Sequence, residues 1–174
     1  MNAESGQKPE TEELFDRLVE EYQLPLKRLC FMYLHDLSLA EDAVQETFLK
    51  VYRSMEGFRA ESSAKTWIMK IAVNTCRDML HSAWMRHHDR RTVPEEMQIA
   101  AEEDPDAEDA RALGKAILDL PSRYKDVILL YYYQDMSQEE IAEILRTSAS
   151  TVSRRLKHAQ ERLRNMLEGG REDE

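Results

Sequence analysis

Apolar residues recur at intervals of three and four positions along most of the chain, which is the spacing of an amphipathic α-helix. The clearest such segment lies near the carboxyl end, with apolar positions at Val152, Leu156, Ala159, Leu163 and Met166. The segment before it places three aliphatic residues on one face, at Ile141, Ile144 and Leu145. No stretch alternates convincingly as a strand would, so the chain is predicted to be all-α.

The two carboxyl-terminal segments are separated by a short polar break at residues 146–147. Ser137 followed by Glu140 has the spacing of a capping box, which starts the first helix. Ser148 is the predicted N-cap of the second helix. Ala142 is small enough to let the two helices cross closely. The pattern predicts a helix-turn-helix, whose second helix enters the DNA major groove.

The outward face of that second helix is basic within an acidic protein. Residues 150–167 contain five Arg or Lys and one acid, whereas the chain carries a net charge of −10. Taken alone, the basic residues fit an ordinary solvated helix face better, but together with the helix-turn-helix pattern they favour DNA binding. The predicted DNA contacts of this segment are Ser148, Ser150, Thr151, Ser153, Arg154, Arg155, Lys157, His158 and Arg162.

Three amphipathic helices are predicted in the amino-terminal half. The first begins near Thr11, and Pro25 is expected to kink or divide it. The second is expected to start at Ser38 as its cap and to end at Gly57. The third follows a polar loop and is capped by Ser62 or Ser63; its expected core is Trp67, Ile68, Ile71, Ala72, Thr75 and Leu80. Further on, a helix is expected from about Asp106, and Pro121 ends it and opens the next.

Charged residues are distributed unevenly along the chain. Residues 94–109 carry eight acids and no base, whereas residues 65–91 carry six Lys or Arg and two Asp. Basic zones on both sides of an acidic connector suggest two separate nucleic-acid contacts. The predicted organisation is a disordered start (1–10), a first helical domain (11–92), a flexible acidic linker (93–109), a helix-turn-helix domain (110–168) and a disordered tail (169–174).

Several classes of protein are not expected. The chain has no long apolar run for membrane insertion, and its acidic amino terminus is unlike a secretory signal. Cys30 and Cys76 form no CxxC pair and are interpreted as reduced core residues of a cytoplasmic protein. The spacing of Cys76 with the histidines at positions 81, 87 and 88 matches no strong zinc signature. No catalytic motif is present, so we expect no metal, no cofactor and no enzymatic activity.

Four stretches resemble bacterial RNA polymerase sigma factors of the extracytoplasmic-function group, in that family's order and spacing. They are AEDAVQETFLKVYR, TWIMKIAVNTCRDML, LPSRYKDVILLYYYQDMSQEEIAEIL and TVSRRLKHAQERLR. The resemblance implies a protein that works with core RNA polymerase, selects promoters and starts their melting, in a stress or environmental response. It also implies an anti-sigma factor as inhibitor. Arg146 departs from the glycine often found in the turn, and Ser150 and Ser153 depart from the family's common Gly and Lys, which leaves the upstream sequence open.

The resemblance also implies a surface for the polymerase. The AEDAVQETF helix would dock on the clamp helices of the largest subunit, and the second domain on the flap of the second-largest subunit. A dense carboxylate and amide face suits a basic helical partner, although from composition alone a solvated face would be favoured. The implied polymerase contacts are Asp42, Gln45, Glu46, Phe48 and Leu49.

The third helix and the loop before it would bind the melted −10 element, and the helix-turn-helix would bind the −35 element. An unstacked base needs aromatic, polar and positively charged neighbours. Asn74 is predicted to meet a Watson–Crick edge, whereas Trp67 is interpreted as core. The implied −10 contacts are Phe58, Arg59, Ser62, Ser63, Lys65, Lys70, Asn74 and Arg77. The acidic linker is either solvated or a polyanion lying in the polymerase's RNA channel.

Two other function classes fit parts of the sequence. One is a stand-alone helix-turn-helix repressor or activator that dimerises through its amino-terminal helices. The other is a helical adaptor without a nucleic-acid role. A repressor requires neither a second basic zone nor a base pocket, so the two zones favour the sigma factor.

Overall fold

The computed structural model of this chain describes residues 7–58, 62–86 and 107–169. Every regular element in these ranges is helical, and the chain divides into two compact units, within residues 1–88 and 89–174. The predicted all-α fold with two helical domains is therefore confirmed. Most of the predicted linker lies outside the described residues. None of the described helices has the length and hydropathy that a membrane crossing requires.

The first unit is a bundle of three mutually packed helices. Its elements are α1 (Gln7–Leu34), α2 (Leu37–Ser54), a 3₁₀ turn (Met55–Gly57) and α3 (Ala64–Arg86). Helix α1 begins inside the segment predicted to be disordered. Pro25 does not divide it, because the helix continues through all 28 of its residues.

Side-chain caps start α2 and α3, but one of them differs from the prediction. The Asp36 carboxylate accepts a hydrogen bond from the Leu39 N–H at 2.9 Å, so Asp36 is the N-cap of α2 and the prediction of Ser38 was wrong. Aspartate caps as well as serine does, and the helix starts at the earlier of the two. For α3, the Ser63 hydroxyl accepts from the Thr66 N–H at 3.1 Å, which selects Ser63 over Ser62.

The core of the first unit is wider on α3 than the sequence suggested. Ile68, Ala72 and Thr75 are buried as predicted, and three further residues are fully buried, at Met69, Val73 and Cys76. Because α3 packs against both α1 and α2, two sides of the helix are covered. Leu80 was wrongly assigned to the core: its side chain is 40% exposed, and Cys76 is the last buried position among the side chains described on α3, residues 64–82.

The two cysteines meet inside this bundle. Cys30 on α1 and Cys76 on α3 are both fully buried and free, which confirms their interpretation as core residues. A hydrogen bond between the two thiols, reinforced by burial, raises the pKa of Cys76 well above that of an ordinary thiol. Cys76 is therefore a neutral packing residue in this fold.

The second unit is built around its last helix. Its elements are α4 (Ala107–Asp119), α5 (Ser122–Ile128), a π-helical turn (Leu129–Tyr133), α6 (Gln138–Leu145) and α7 (Ala149–Gly169). Helices α4, α5 and α6 all pack against α7. The first three residues of α4 fall inside the segment predicted as linker. The buried positions of α7 end at Leu163, and Met166, predicted as core, is 41% exposed.

The predicted helix-turn-helix is present between α6 and α7. The Ser137 N–H donates to Glu140 Oε2 at 2.8 Å, and the Ser137 hydroxyl accepts from the Glu140 N–H at 3.2 Å, which completes the capping box. In the turn, Arg146 has φ 52°, and the Thr147 N–H donates to the Ala142 carbonyl at 2.9 Å. Together with the bond from the Arg146 N–H to the Glu143 carbonyl, this bond gives the helix a Schellman-type ending without glycine.

Candidate nucleic-acid interface and partner surface

Helix α2 presents a face of acid, amide and aliphatic groups to solvent. Asp42, Gln45 and Leu49 recur at helical spacing on the side opposite the buried positions, and Leu49 is 49% exposed. Glu46 lies beside them, half-buried, with its carboxylate 3.7 Å from the Lys50 ammonium. Four of the five residues predicted to contact the polymerase therefore share one outward face of α2.

Phe48 is the exception: it was predicted to contact the polymerase from the outward face, but it lies on the inner side of α2. Its side chain is only 8% exposed, and its ring packs edge to face against Phe15 of α1, with centroids 6.1 Å apart. The same Phe15 ring meets Tyr52 at 5.1 Å. Phe48 therefore anchors α2 to α1 from the inner side, and it is not part of the outward face.

An aromatic stack lies where the polar loop meets α3. The rings of Phe58 and Trp67 are 4.4 Å apart at an interplanar angle of 24°, and both side chains are half-buried. Trp67 was expected in the core, but it lies on the open side of α3 and packs against Phe58. Next to it, the hydroxyls of Ser63 and Thr66 are 2.9 Å apart. The stack and Ser63 form one end of a partly exposed surface, whereas Thr66 is buried.

The rest of that surface runs along α3. Lys70, Asn74 and Arg77 follow Trp67 at helical spacing, on the side away from the buried positions. Lys65 lies on another side of the same helix, and Ser62 is half-buried in the loop before it. Arg59 lies outside the described residues. The structure thus brings an aromatic pair, an amide and two cations together, which is the combination that single-stranded nucleic acid requires.

On α7, four predicted DNA contacts share the fully outward side. They are exposed and lie opposite the buried positions, at Ser150, Ser153, Arg154 and Lys157. Two of them are short hydroxyls and two are long cations, so the helix can approach base edges closely while its basic groups reach guanine acceptors or phosphates.

The start of α7 is held by hydroxyl groups. The Ser148 hydroxyl accepts from the Thr151 N–H at 3.2 Å, which confirms Ser148 as the N-cap. It also donates to the Thr151 hydroxyl at 2.9 Å and lies 3.0 Å from the Ser150 hydroxyl. Ser148 and Thr151 therefore fix the beginning of the helix as well as lying at the predicted interface.

The remaining predicted contacts on α7 turn toward α5. The Arg162 guanidinium lies 5.2 Å from the centre of the Tyr124 ring, and the Arg123 guanidinium lies 4.8 Å from it. The His158 ring meets Tyr124 edge to face at 6.5 Å, and Arg155 is half-buried. Arg123 and Tyr124 were not identified from the sequence, because periodicity does not show that α5 and α7 come together.

A second aromatic surface lies on the π-helical turn before α6. Tyr131, Tyr132 and Tyr133 are all exposed by more than a third, and the Tyr132 hydroxyl accepts a hydrogen bond from the Gln160 amide of α7. Partial burial raises the pKa of Tyr133. Within the described residues, no three His, Cys, Asp or Glu side chains come together as a metal site would require, and His87 and His88 lie outside those residues.

Family profiles cover both units. The profile described as Sigma-70 region 2 matches residues 18–86, and the profile described as Sigma-70, region 4 matches residues 110–163. The ECF RNA polymerase sigma-E factor of Haemophilus influenzae is 32% identical over 166 residues, which cover 88% of this chain and 87% of that protein. The RNA polymerase sigma factor SigV of Bacillus subtilis is 32% identical over 161 residues, covering 92% and 95%.

A solved structure shows the same fold. The sigma factor RpoE from Bartonella quintana, in complex with the anti-sigma factor NepR, superposes with a TM-score of 0.70. The match covers 87% of this chain and 97% of that chain, at 21% sequence identity.

Proposed function

The chain belongs to the extracytoplasmic-function group of bacterial RNA polymerase sigma factors, the subunits that direct RNA polymerase to promoters, and from this premise we propose a role for each of its outward faces. Helix α2 binds core polymerase. Helix α3 and the loop before it hold the melted −10 element. Helix α7 binds the −35 duplex, and the protein thereby selects promoters and starts their opening.

The observation that carries this assignment is that one chain presents two surfaces of different chemistry, which suit two different forms of nucleic acid. The α3 surface has the Phe58–Trp67 stack and Asn74, which suit an unstacked base. The α7 surface has short hydroxyls and cations on a capped helix-turn-helix, which suit the major groove. A repressor that binds only duplex DNA has no use for the first surface.

The face of α2 is suited to a basic helical partner. Asp42 and Gln45 supply acceptors, and Leu49 supplies an exposed apolar contact among them. An apolar residue surrounded by polar groups is a common energetic centre of protein interfaces. We assign this face to the clamp helices of the largest polymerase subunit, and the second unit to the flap of the second-largest subunit.

An anti-sigma factor is the second protein partner that we propose. The similar RpoE chain was solved in complex with the anti-sigma factor NepR. An inhibitor that covers the α2 face of this chain would exclude core polymerase by competition, because the two partners would need the same surface.

Run-off transcription with core polymerase tests the proposal. Adding the wild-type chain should give transcripts from a promoter selected for it, and core polymerase alone should give none. Asp42→Lys combined with Leu49→Ala should abolish both the transcript and co-purification with core polymerase. Glu20→Lys, which reverses an exposed acid on α1, is the matched control and should leave both unchanged.

Two results would overturn the assignment. A wild-type chain that never yields promoter-dependent transcripts, but binds one duplex tightly by itself, would be a repressor or activator. If the α2 double variant keeps its helicity by circular dichroism and still co-purifies with core polymerase, the α2 face is not the contact.

A further inference from the structure

Two arginines from different helices meet on one tyrosine ring in the second unit. The guanidinium carbons of Arg123, on α5, and Arg162, on α7, lie 4.8 Å and 5.2 Å from the centre of the Tyr124 ring. The His158 ring contacts the same tyrosine edge to face at 6.5 Å. Attraction between each cation and the ring electrons holds both guanidiniums against Tyr124 despite their like charges.

The two guanidiniums have no carboxylate partner within the described part of the chain, and both side chains are exposed. We call Arg123, Tyr124, His158 and Arg162 the cluster. The acid nearest to it along α7 is Glu161, whose carboxylate lies 3.4 Å from His158 Nδ1. The cluster therefore keeps its positive charge and its hydrogen-bond donors for an external anion. Guanidinium groups match phosphate oxygens in geometry as well as in charge.

The cluster is continuous with the proposed −35 surface. Thr151, Arg155, His158 and Arg162 recur at intervals of three and four, so they form one strip along the flank of α7. The strip runs about 16 Å along the helix, from its hydroxyl-capped start to the Tyr124 ring. A DNA strand that borders the groove occupied by the start of α7 would follow this strip. Nothing in the position of the strip favours an acidic protein segment in the same way.

We propose that Arg123 and Arg162, held against Tyr124, bind backbone phosphate of the upstream promoter duplex. The inference deepens the proposed function and rests on it, because it assigns a second anchoring point to the same duplex. Tyr124 acts as a positioning residue, which orients the two guanidiniums without touching the phosphate. The cluster adds affinity and fixes the helix on the duplex, but it reads no bases.

The test measures the affinity of holoenzyme for promoter duplex between about 50 and 200 mM salt. Each of Arg123→Ala and Arg162→Ala should reduce the slope of log affinity against log salt by about 0.9, and by a similar amount on every upstream sequence. Lys115→Ala, which removes an exposed cation of the same unit outside the cluster, is the matched control and should leave the slope unchanged.

Substitutions of the ring separate positioning from charge. Tyr124→Leu keeps both arginines but removes the ring, so it should weaken duplex binding without changing base preference. Tyr124→Phe keeps the ring face and should bind the duplex as tightly as the wild type does. Thermal unfolding of each variant shows whether the second unit remains folded, and the comparison is made only between variants with the wild-type melting temperature.

The outcomes distinguish this inference from the proposed function. If wild-type holoenzyme shows upstream-sequence preference but Arg123→Ala behaves like Lys115→Ala, the phosphate assignment is overturned, and the cluster faces an acidic protein instead. If wild-type holoenzyme has no preference for any upstream sequence, the −35 role of α7 itself is overturned, and the phosphate assignment fails with it.

Discussion

Single residues with left-handed backbone conformations shape three turns of the molecule. His35, Asp135 and Arg146 have φ values of 56°, 51° and 52°, and none of them is glycine. A β-carbon in this region crowds the following carbonyl, which costs on the order of 1 kcal/mol for each residue. Tertiary packing of the helices on either side holds these residues in place.

The turn of the helix-turn-helix offers a direct test of this strain. Arg146→Gly should stabilise the second unit by about 0.5–1 kcal/mol, because glycine adopts φ 52° without the steric cost of a β-carbon. Urea unfolding monitored by circular dichroism measures the change. Arg146→Ala keeps a β-carbon and should show no gain. An equal gain from alanine would show that the guanidinium, and not the β-carbon, is unfavourable.

Tyr22 gives the first unit a pH limit on the alkaline side. Burial, followed by a hydrogen bond and charge interaction with Glu21, raises the pKa of Tyr22 to about 12 from its ordinary value of 10.0. The folded state therefore favours the protonated phenol. Its contribution to stability is complete below pH 10 and is lost as the pH rises from there to about 12.

Unfolding at pH 9 and at pH 11 checks this limit. The wild-type chain should lose more stability than Tyr22→Phe over that interval, because phenylalanine has no proton to release. The difference between the two chains isolates this residue from the other groups that titrate above pH 9. Equal losses in both chains would mean that Tyr22 keeps an ordinary pKa when folded.

At the scale of elements, helix periodicity was sufficient to predict the helices, whereas the wrongly assigned core residues depended on tertiary contacts. The capping box at Ser137 and the cap at Ser148 were found from sequence because a cap is local. Leu80 and Met166 have core spacing, but among the side chains described on their helices they lie beyond the last buried position. Spacing gives the direction of a side chain around a helix and does not show where the neighbouring helix ends.

In the candidate binding surfaces, too, local patterns show which side chains are exposed, and packing decides the rest. The outward sides of α2 and α7 were predicted almost completely, because exposure on an amphipathic helix can be inferred from its pattern. Phe48 was misplaced since its position on α2 borders both sides, and only contact with Phe15 shows that it faces inward. Arg123 and Tyr124 join the α7 surface through packing of α5, which no local pattern contains.

The orientation of α7 as an element can be tested through Arg154. This residue lies on the side opposite Val152 and Leu156, near the end that we propose to enter the groove. Arg154→Ala should cost about 1–3 kcal/mol of binding and relax the preference at one upstream position. Holoenzyme binding across a library of upstream elements measures both effects. A uniform loss on all sequences would mean that Arg154 contacts only phosphate, and the helix would then be rotated from its proposed orientation.

At the scale of the whole molecule, charge opposes independent binding to DNA. The chain has a net charge of −10, because its 24 Lys and Arg are outnumbered by 34 Asp and Glu. We therefore predict that the free protein binds linear promoter duplex weakly at physiological salt, because repulsion from the acidic remainder offsets its local cationic faces. An electrophoretic shift assay without polymerase measures this. Tight, sequence-specific binding by the free chain would instead indicate a stand-alone regulator.

The positions of packing partners along the chain have a consequence for folding during synthesis. In the first unit, α1, α2 and α3 pack on one another and are neighbours in sequence, so their contacts are short-range and form quickly. This bundle has all of its partners as soon as α3 has left the ribosome. In the second unit, α4, α5 and α6 all pack on α7, which is made last. A nascent chain interrupted before α7 would therefore carry a folded amino-terminal bundle followed by helices that have no core to join.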